Sequence, residues 1–247
     1  MIPPELWRRL LAEYVGTALL VTVVVGSGIA ASRLSPDDVG LQLLENSTAT
    51  AFGLAVLILA FGPVSGAHFS PVVSAADWLL GRRTGSGLSG RDVLAYTGAQ
   101  TVGAISGTIL ADAMFDVALV DWSSKDRSDA HLLLGEVVAT AGLVYLIFAL
   151  ARSGKANLSA PAVGAYIGAA YWFTSSTSFA NPAVTVGRAF TDTFAGIDPA
   201  SVPGFIGAQI VGALVGLGLL VALYPQPERA AGAVVMPHPD LDVSERV

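Results

Sequence analysis

Two short stretches of the chain combine hydroxyl, amide and proline residues in the same order. One runs Ser65-Gly66-Ala67-His68-Phe69-Ser70-Pro71-Val72-Val73-Ser74, and the other Ser178-Phe179-Ala180-Asn181-Pro182-Ala183-Val184-Thr185. In each, Ser or Asn followed by Pro is the N-cap and first-turn signature of a helix. The side-chain oxygen can accept from an early backbone N–H, and Pro lacks the donor that would be orphaned there. Apolar segments too short to cross a bilayer follow, ending near Leu80 and Phe194. Both stretches are therefore expected to open half-helices that begin inside the fold. Glu13 and Glu136 sit in otherwise apolar runs, where an ionisable group marks either function or a built set of partners.

Other chemistries find little support. With no Cys, the chain has neither disulfides nor thiolate ligands, and its three His, at 68, 131 and 238, are scattered. No metal site and no cofactor are expected. Neither a Gly-x-Ser-x-Gly elbow nor a His-Glu-x-x-His pattern occurs. A hydrolase built on Ser70 and His68 would still need an oxyanion hole and a third group to orient the base. The formal charge of −6 argues against nucleic acid as a partner.

The elements that position these residues follow from composition. Of 247 residues, 53% are apolar and 13% charged, against about 25% charged in soluble domains. The lipid bilayer is the expected surrounding. Long apolar runs predict six spans, at about 6–31, 43–63, 92–113, 131–151, 157–177 and 201–223. A cleaved leader is not expected, because the first run is too long for one, contains Glu13, and has a relative at the start of the fourth. With the N-terminus inside, Lys and Arg divide nine to the cytoplasm and four (Arg33, Lys125, Arg127 and Arg188) outside. Both termini are thus expected in the cytoplasm of a plasma or inner-membrane protein, with residues 224–247 as a cytoplasmic tail.

The halves repeat. Ala12-Glu13-Tyr14-Val15-Gly16-Thr17 corresponds to Gly135-Glu136-Val137-Val138-Ala139-Thr140 at an offset of 123. Ala99-Gln100-Thr101-Val102-Gly103-Ala104 corresponds to Ala208-Gln209-Ile210-Val211-Gly212-Ala213 at 109, and Ser70-Pro71-Val72 to Asn181-Pro182-Ala183 at 111. The chain reads as one all-α membrane domain, with repeat A at about 6–113 and repeat B at about 131–223. Three spans per unit force the second copy to be inverted in the membrane. Gly103 and Gly107, matched by Gly212 and Gly216, form small-xxx-small faces for close helix packing. Irregular backbone at membrane depth must be buried or line a watery cavity. Two inverted half-helices meeting cap to cap would line a pore, their positive ends disfavouring cations and protons.

These residues resemble the major intrinsic protein family, the aquaporins and aquaglyceroporins, over essentially the whole chain to about 223. The likeness rests on Ala12-Glu13…Gly16-Thr17, Ser65-Gly66-Ala67-His68, Asn181-Pro182-Ala183 and both Ala-Gln-x-x-Gly-Ala stretches. It implies six membrane helices with two half-helices, a homotetramer with one pore per subunit, and passive conduction of water or small neutral solutes. Its pore midplane would comprise Ser70, Pro71, Val72, Asn181, Pro182 and Ala183. Glu13, Glu136, His68, Gln100, Gln209, Gly103 and Gly212 would give structural support.

Two departures from the family pattern stand out. The first half-helix loop has Ser70-Pro71-Val72 where Asn-Pro-Ala is usual, and Ser lacks the amide donor, so Asn181 is the expected direct donor to solute. Val184 occupies the position where most members carry an Arg that narrows the mouth. Counting back from the motifs puts the rest of the filter at Thr50, Ala169 and Ser178. Arg188 is expected to face the outer surface or cap a loop, Asp112 to lie at the water boundary, and Tyr171-Trp172-Phe173 to form an interfacial belt or, otherwise, a plug. A filter of small uncharged residues would pass solutes larger than water. Glycerol, other polyols and metalloid acids such as arsenite are candidates. A gradient-coupled transporter using Glu13 and Glu136, or a non-conducting structural protein, are the alternatives.

Overall fold

Apolar runs broken by proline-initiated turns give a wholly helical chain. The computed structural model describes residues 4–82 and 84–224. These form α1 (Leu6–Leu34), α2 (Val39–Ser65), α3 (Pro71–Gly81), α4 (Gly90–Met114), α5 (Ala130–Arg152), α6 (Ser159–Phe173), α7 (Pro182–Arg188) and α8 (Val202–Leu223), with no strand among the described residues. Helices α1, α2, α5 and α8 are long and apolar enough to cross a membrane on length and composition alone. The expected tail at 224–247 lies outside the described residues except for Tyr224.

Packing follows the repeat. Helix α1 lies against α2 and α4, and α5 against α6 and α8, while α2 meets α6 to join the halves. Glycines set the closeness of the crossings. A Cβ at Gly103 would stand 2.4 Å from the Tyr14 carbonyl oxygen, and one at Gly107 2.1 Å from that of Ala18. In the second half, a Cβ at Gly212 would stand 2.6 Å from the Val137 oxygen and one at Gly216 2.4 Å from that of Ala141. These helices touch backbone to backbone, which only residues without a Cβ permit and which supplies dispersion where lipid gives no hydrophobic drive.

Two elements differ from expectation. The second half-helix ends at Arg188 instead of near Phe194. The carbonyls of Ala189 and Phe190 turn away to accept from the Ser123 and Asp121 N–H groups of the connection after α4. The fifth span ends at Phe173 instead of 177. Beyond it the chain leaves helical geometry to reach the Glu136 carboxylate.

Candidate functional site

The site grows from two bent loops. After α2, Gly66, Ala67 and Phe69 have φ of 87°, 47° and 50°; after α6, Thr177, Ser178 and Ala180 have 61°, 51° and 48°. Each matched pair shares the offset of 111 seen at the caps. Such left-handed backbone is costly for residues with a Cβ, and it aims N–H groups inward that no helix can satisfy. A buried carboxylate collects them in each half. Glu13 accepts from the Ser65 hydroxyl (2.6 Å), the His68 and Phe69 N–H groups (3.0 and 2.7 Å) and Gln100 Nε2 (2.7 Å). Glu136 accepts from the Phe179 and Ala180 N–H groups (both 2.8 Å) and Gln209 Nε2 (2.6 Å). Gln100 and Gln209 also donate to Ser74 Oγ and Thr185 Oγ1, one turn into α3 and α7.

The half-helix N-termini then differ. Asn181 Oδ1 accepts from the Ala183 and Val184 N–H groups (3.0 and 3.3 Å), and its Nδ2 donates to the Phe69 carbonyl of the opposite loop (2.7 Å). Ser70 makes no side-chain cap bond, and its buried Oγ has no partner. The expectation that Ser70 can cap α3 is thus corrected. Pro71 and Pro182 occupy the first helical turns, with Val72 and Ala183 buried behind them.

Between the loops runs a narrow cavity of about 70 Å³. Leu20 and Val24 of α1 face Leu143 and Ile147 of α5, and Leu54 and Ile58 of α2 face Val163 and Ile167 of α6. These wall positions are related by the repeat offsets of 123 and 109. Polar residues line the cavity as well: His68, Ser70 and Asn181 from the loops, with Thr50, Tyr171, Ser178 and Arg188. His68 Nδ1 is 3.0 Å from Ser74 Oγ, and its ring meets Tyr96 edge-on.

Thr50, Ser178 and Val184 line this cavity. Ala169 does not. It lies on the exposed surface of α6, because Val163, Ile167 and Tyr171 recur every four residues on the inner face and Ala169 sits two residues from the last. Tyr171 takes the place expected of Ala169: the ring is 3% exposed and its hydroxyl is 3.3 Å from Thr50 Oγ1. The aromatic run divides there, since Trp172 and Phe173 are exposed.

Arg188 is the largest correction. It is 3% exposed, lines the cavity, and lies with its guanidinium carbon 3.4 Å from the Phe179 ring centroid. Its Nε donates to the Ala195 carbonyl, and it has no ion-paired acid among the described residues. The signal that points to it is spacing. Helical side chains lean toward the N-terminus over the preceding turn, so a long residue at 188 covers the position of Val184. Asp112 is also corrected. It is fully buried, accepting from Thr191 Oγ1 at 3.0 Å, so it does not mark a water boundary.

Two repeated units whose half-helices meet at a lined cavity define a membrane channel, not a catalyst. The major intrinsic protein family model matches residues 2–177 and 160–247. The chain belongs to that family. It is 49% identical over 225 residues to the aquaglyceroporin AqpS of Rhizobium meliloti, covering 91% of this chain and 93% of that one. It is 30% identical over 275 residues to the glycerol uptake facilitator protein of Pseudomonas aeruginosa, covering 95% of each. The solved aquaglyceroporin of Plasmodium falciparum shares the fold, with a TM-score of 0.65 at 18% identity over 89% of this chain and 97% of that one.

Proposed function

We propose that the protein is a passive channel for small neutral solutes of glycerol size, metalloid acids such as arsenite and water included. The observation that carries this reading is the cavity's mixed lining, in which Leu, Ile and Val side chains stand together with hydroxyl, amide and guanidinium groups. A polyol fits that lining, its carbon side against Leu and Ile and its hydroxyls against Asn181, Thr50 and Tyr171. The filter in this reading is Thr50, Tyr171, Ser178, Val184 and Arg188, and the midplane is Ser70 with Asn181. Relatives whose names refer to glycerol support the solute size.

Glu13 and Glu136 are holding groups, because their oxygens are filled by donors on both bent loops. The chain acts as one domain in a homotetramer of the plasma or inner membrane. Its α7 mouth is outside and its termini are cytoplasmic, as the nine-to-four division of cations supports.

Proteoliposome swelling in water, glycerol and arsenite, side by side, tests the proposal. Flux of none of the three overturns it. Val184→Arg fills the mouth beside Arg188 with a second guanidinium. It is expected to lower glycerol flux on the order of tenfold, about 1.4 kcal/mol of barrier, and unchanged flux would put the filter elsewhere.

A further inference from the structure

Charges around the α7 mouth are segregated. Four of the acids there, Asp126, Asp192, Asp198 and Glu136, are occupied by neutral donors, while Asp121 and Asp129 carry no side-chain hydrogen bond among the described residues. Asp126 accepts from the Ser128 N–H (2.8 Å) and Ser201 Oγ (3.0 Å), and Asp198 from the Ala200 N–H (2.7 Å). Asp192 accepts from the Ser124 N–H (3.0 Å) and the Ser123 and Ser124 hydroxyls. Glu136 is filled by the bent loop. The cations Lys125, Arg127 and Arg188 are left without an ion-paired carboxylate among the described residues.

Carbonyls and aromatic faces orient these cations without neutralising them. Lys125 Nζ donates to the Phe194 carbonyl (2.9 Å) and lies 5.5 Å from that ring's centroid. Arg127 Nε donates to the Gly196 carbonyl (3.0 Å), and its guanidinium lies 4.9 Å from the centroid of the Phe179 ring that Arg188 also covers. Arg188 is buried on the cavity wall, Arg127 is half-buried and Lys125 is exposed, the latter two lying outside the cavity lining. Desolvation first, then the fields of Arg127 and Arg188, hold the Lys125 pKa down to about 8 against the opposing pull of Asp192. Three positive charges kept close and unpaired are costly unless a ligand supplies the missing charge.

We infer that the α7 mouth is a binding site for small monovalent oxyanions, carboxylates and sulfonates alike, received by the guanidinium edges of Arg188 and Arg127 with Lys125 at the rim. Guanidinium forks match the paired oxygens of such groups. A seated anion plugs the mouth and slows neutral solutes. That consequence rests on the channel reading, whereas binding itself does not.

Two measurements on the full chain separate the ideas. In the first, glycerol flux into proteoliposomes is followed with methanesulfonate outside, against gluconate at equal ionic strength and osmolarity as the bulky control. For a Kd on the order of 1 mM, methanesulfonate at ten times that level slows flux about tenfold. In the second, methanesulfonate is titrated calorimetrically into the detergent-solubilised protein. Arg127→Gln with Lys125→Gln abolishes both effects and leaves glycerol flux in gluconate unchanged. Lys125→Gln alone weakens binding and serves if the double variant folds poorly. Raising the pH through about 8 also weakens binding as Lys125 loses its proton while Asp192 stays ionised. Absence of heat and of slowing in a conducting protein overturns the site. Binding heat in a protein that conducts nothing keeps the site and overturns the channel reading.

Discussion

The two bent loops share a frame and end on opposite charges. Residues 65–77 and 176–188 correspond at an offset of 111, from Ser65 and Ser176 through the left-handed residues to Ser74 and Thr185. In α3 the last matched position, four residues before the helix ends, is Asp77, buried, accepting from the Leu88 N–H at 2.7 Å. At the end of α7 it is Arg188, buried and facing the cavity. Duplication kept what folds the loop and released what meets the solute. The carboxylate, the glutamine and the positive-φ residues are matched in type or geometry, while the cap (Ser70 or Asn181), the ring position (His68 or Phe179) and the terminal charge all differ.

The largest test removes the shared frame. Glu13→Ala orphans four donors and Glu136→Ala three, at roughly 1–3 kcal/mol for each buried group left unsatisfied. Both are expected to lose most of the folded, monodisperse protein in detergent, Glu13→Ala the more severely. A native-like thermal midpoint for either would mean that the carboxylates do not hold the loops.

The helix crossings come next. Gly107→Ala would place a Cβ 2.1 Å from the Ala18 oxygen and Gly216→Ala one 2.4 Å from that of Ala141. Neither backbone can yield without shifting a helix, so each is expected to cost about 1–3 kcal/mol. The loss, read as a lower thermal midpoint, should be larger for Gly107. Equal, negligible shifts would show that the crossings adapt.

The pairing of these residues explains how much of the molecule is legible in residue order alone. Spans, half-helices and the matched Glu, Gln and Gly positions are legible because symmetry writes each of them twice. The filter is only partly legible, since it is where the copies diverge. Counting back from the second motif misplaces Ala169, because it takes regular helix to run through residue 177, whereas α6 stops at Phe173 and the chain bends toward Glu136. Arg188 escapes the same count because its role depends on a side chain reaching back one turn over Val184, which residue order does not display.

A smaller effect sharpens the contrast between the caps. Ser70→Asn restores in α3 the acceptor that Asn181 offers to the first N–H groups of α7. A cap of this kind contributes about 1 kcal/mol, so the thermal midpoint should rise. Glycerol flux should fall modestly, because the larger amide side chain stands beside the narrow cavity. A lower midpoint would mean that the space beside the unpartnered Ser70 Oγ cannot hold an amide.

The smallest change isolates backbone strain. Thr177 has φ of 61° where its counterpart Gly66 has 87°, and a β-branched residue is poorly suited to the left-handed region. Thr177→Gly relieves a strain of about 1–2 kcal/mol but also gives the unfolded chain more freedom, a loss of about 0.4–1 kcal/mol. The net expectation is a gain of no more than about 1.6 kcal/mol, seen as a slight rise in thermal midpoint with unchanged flux. Destabilisation instead would show that Thr177 holds the second loop through contacts that the first loop does without. The equivalence of the two bent segments would then extend to their carboxylates but not to their backbones.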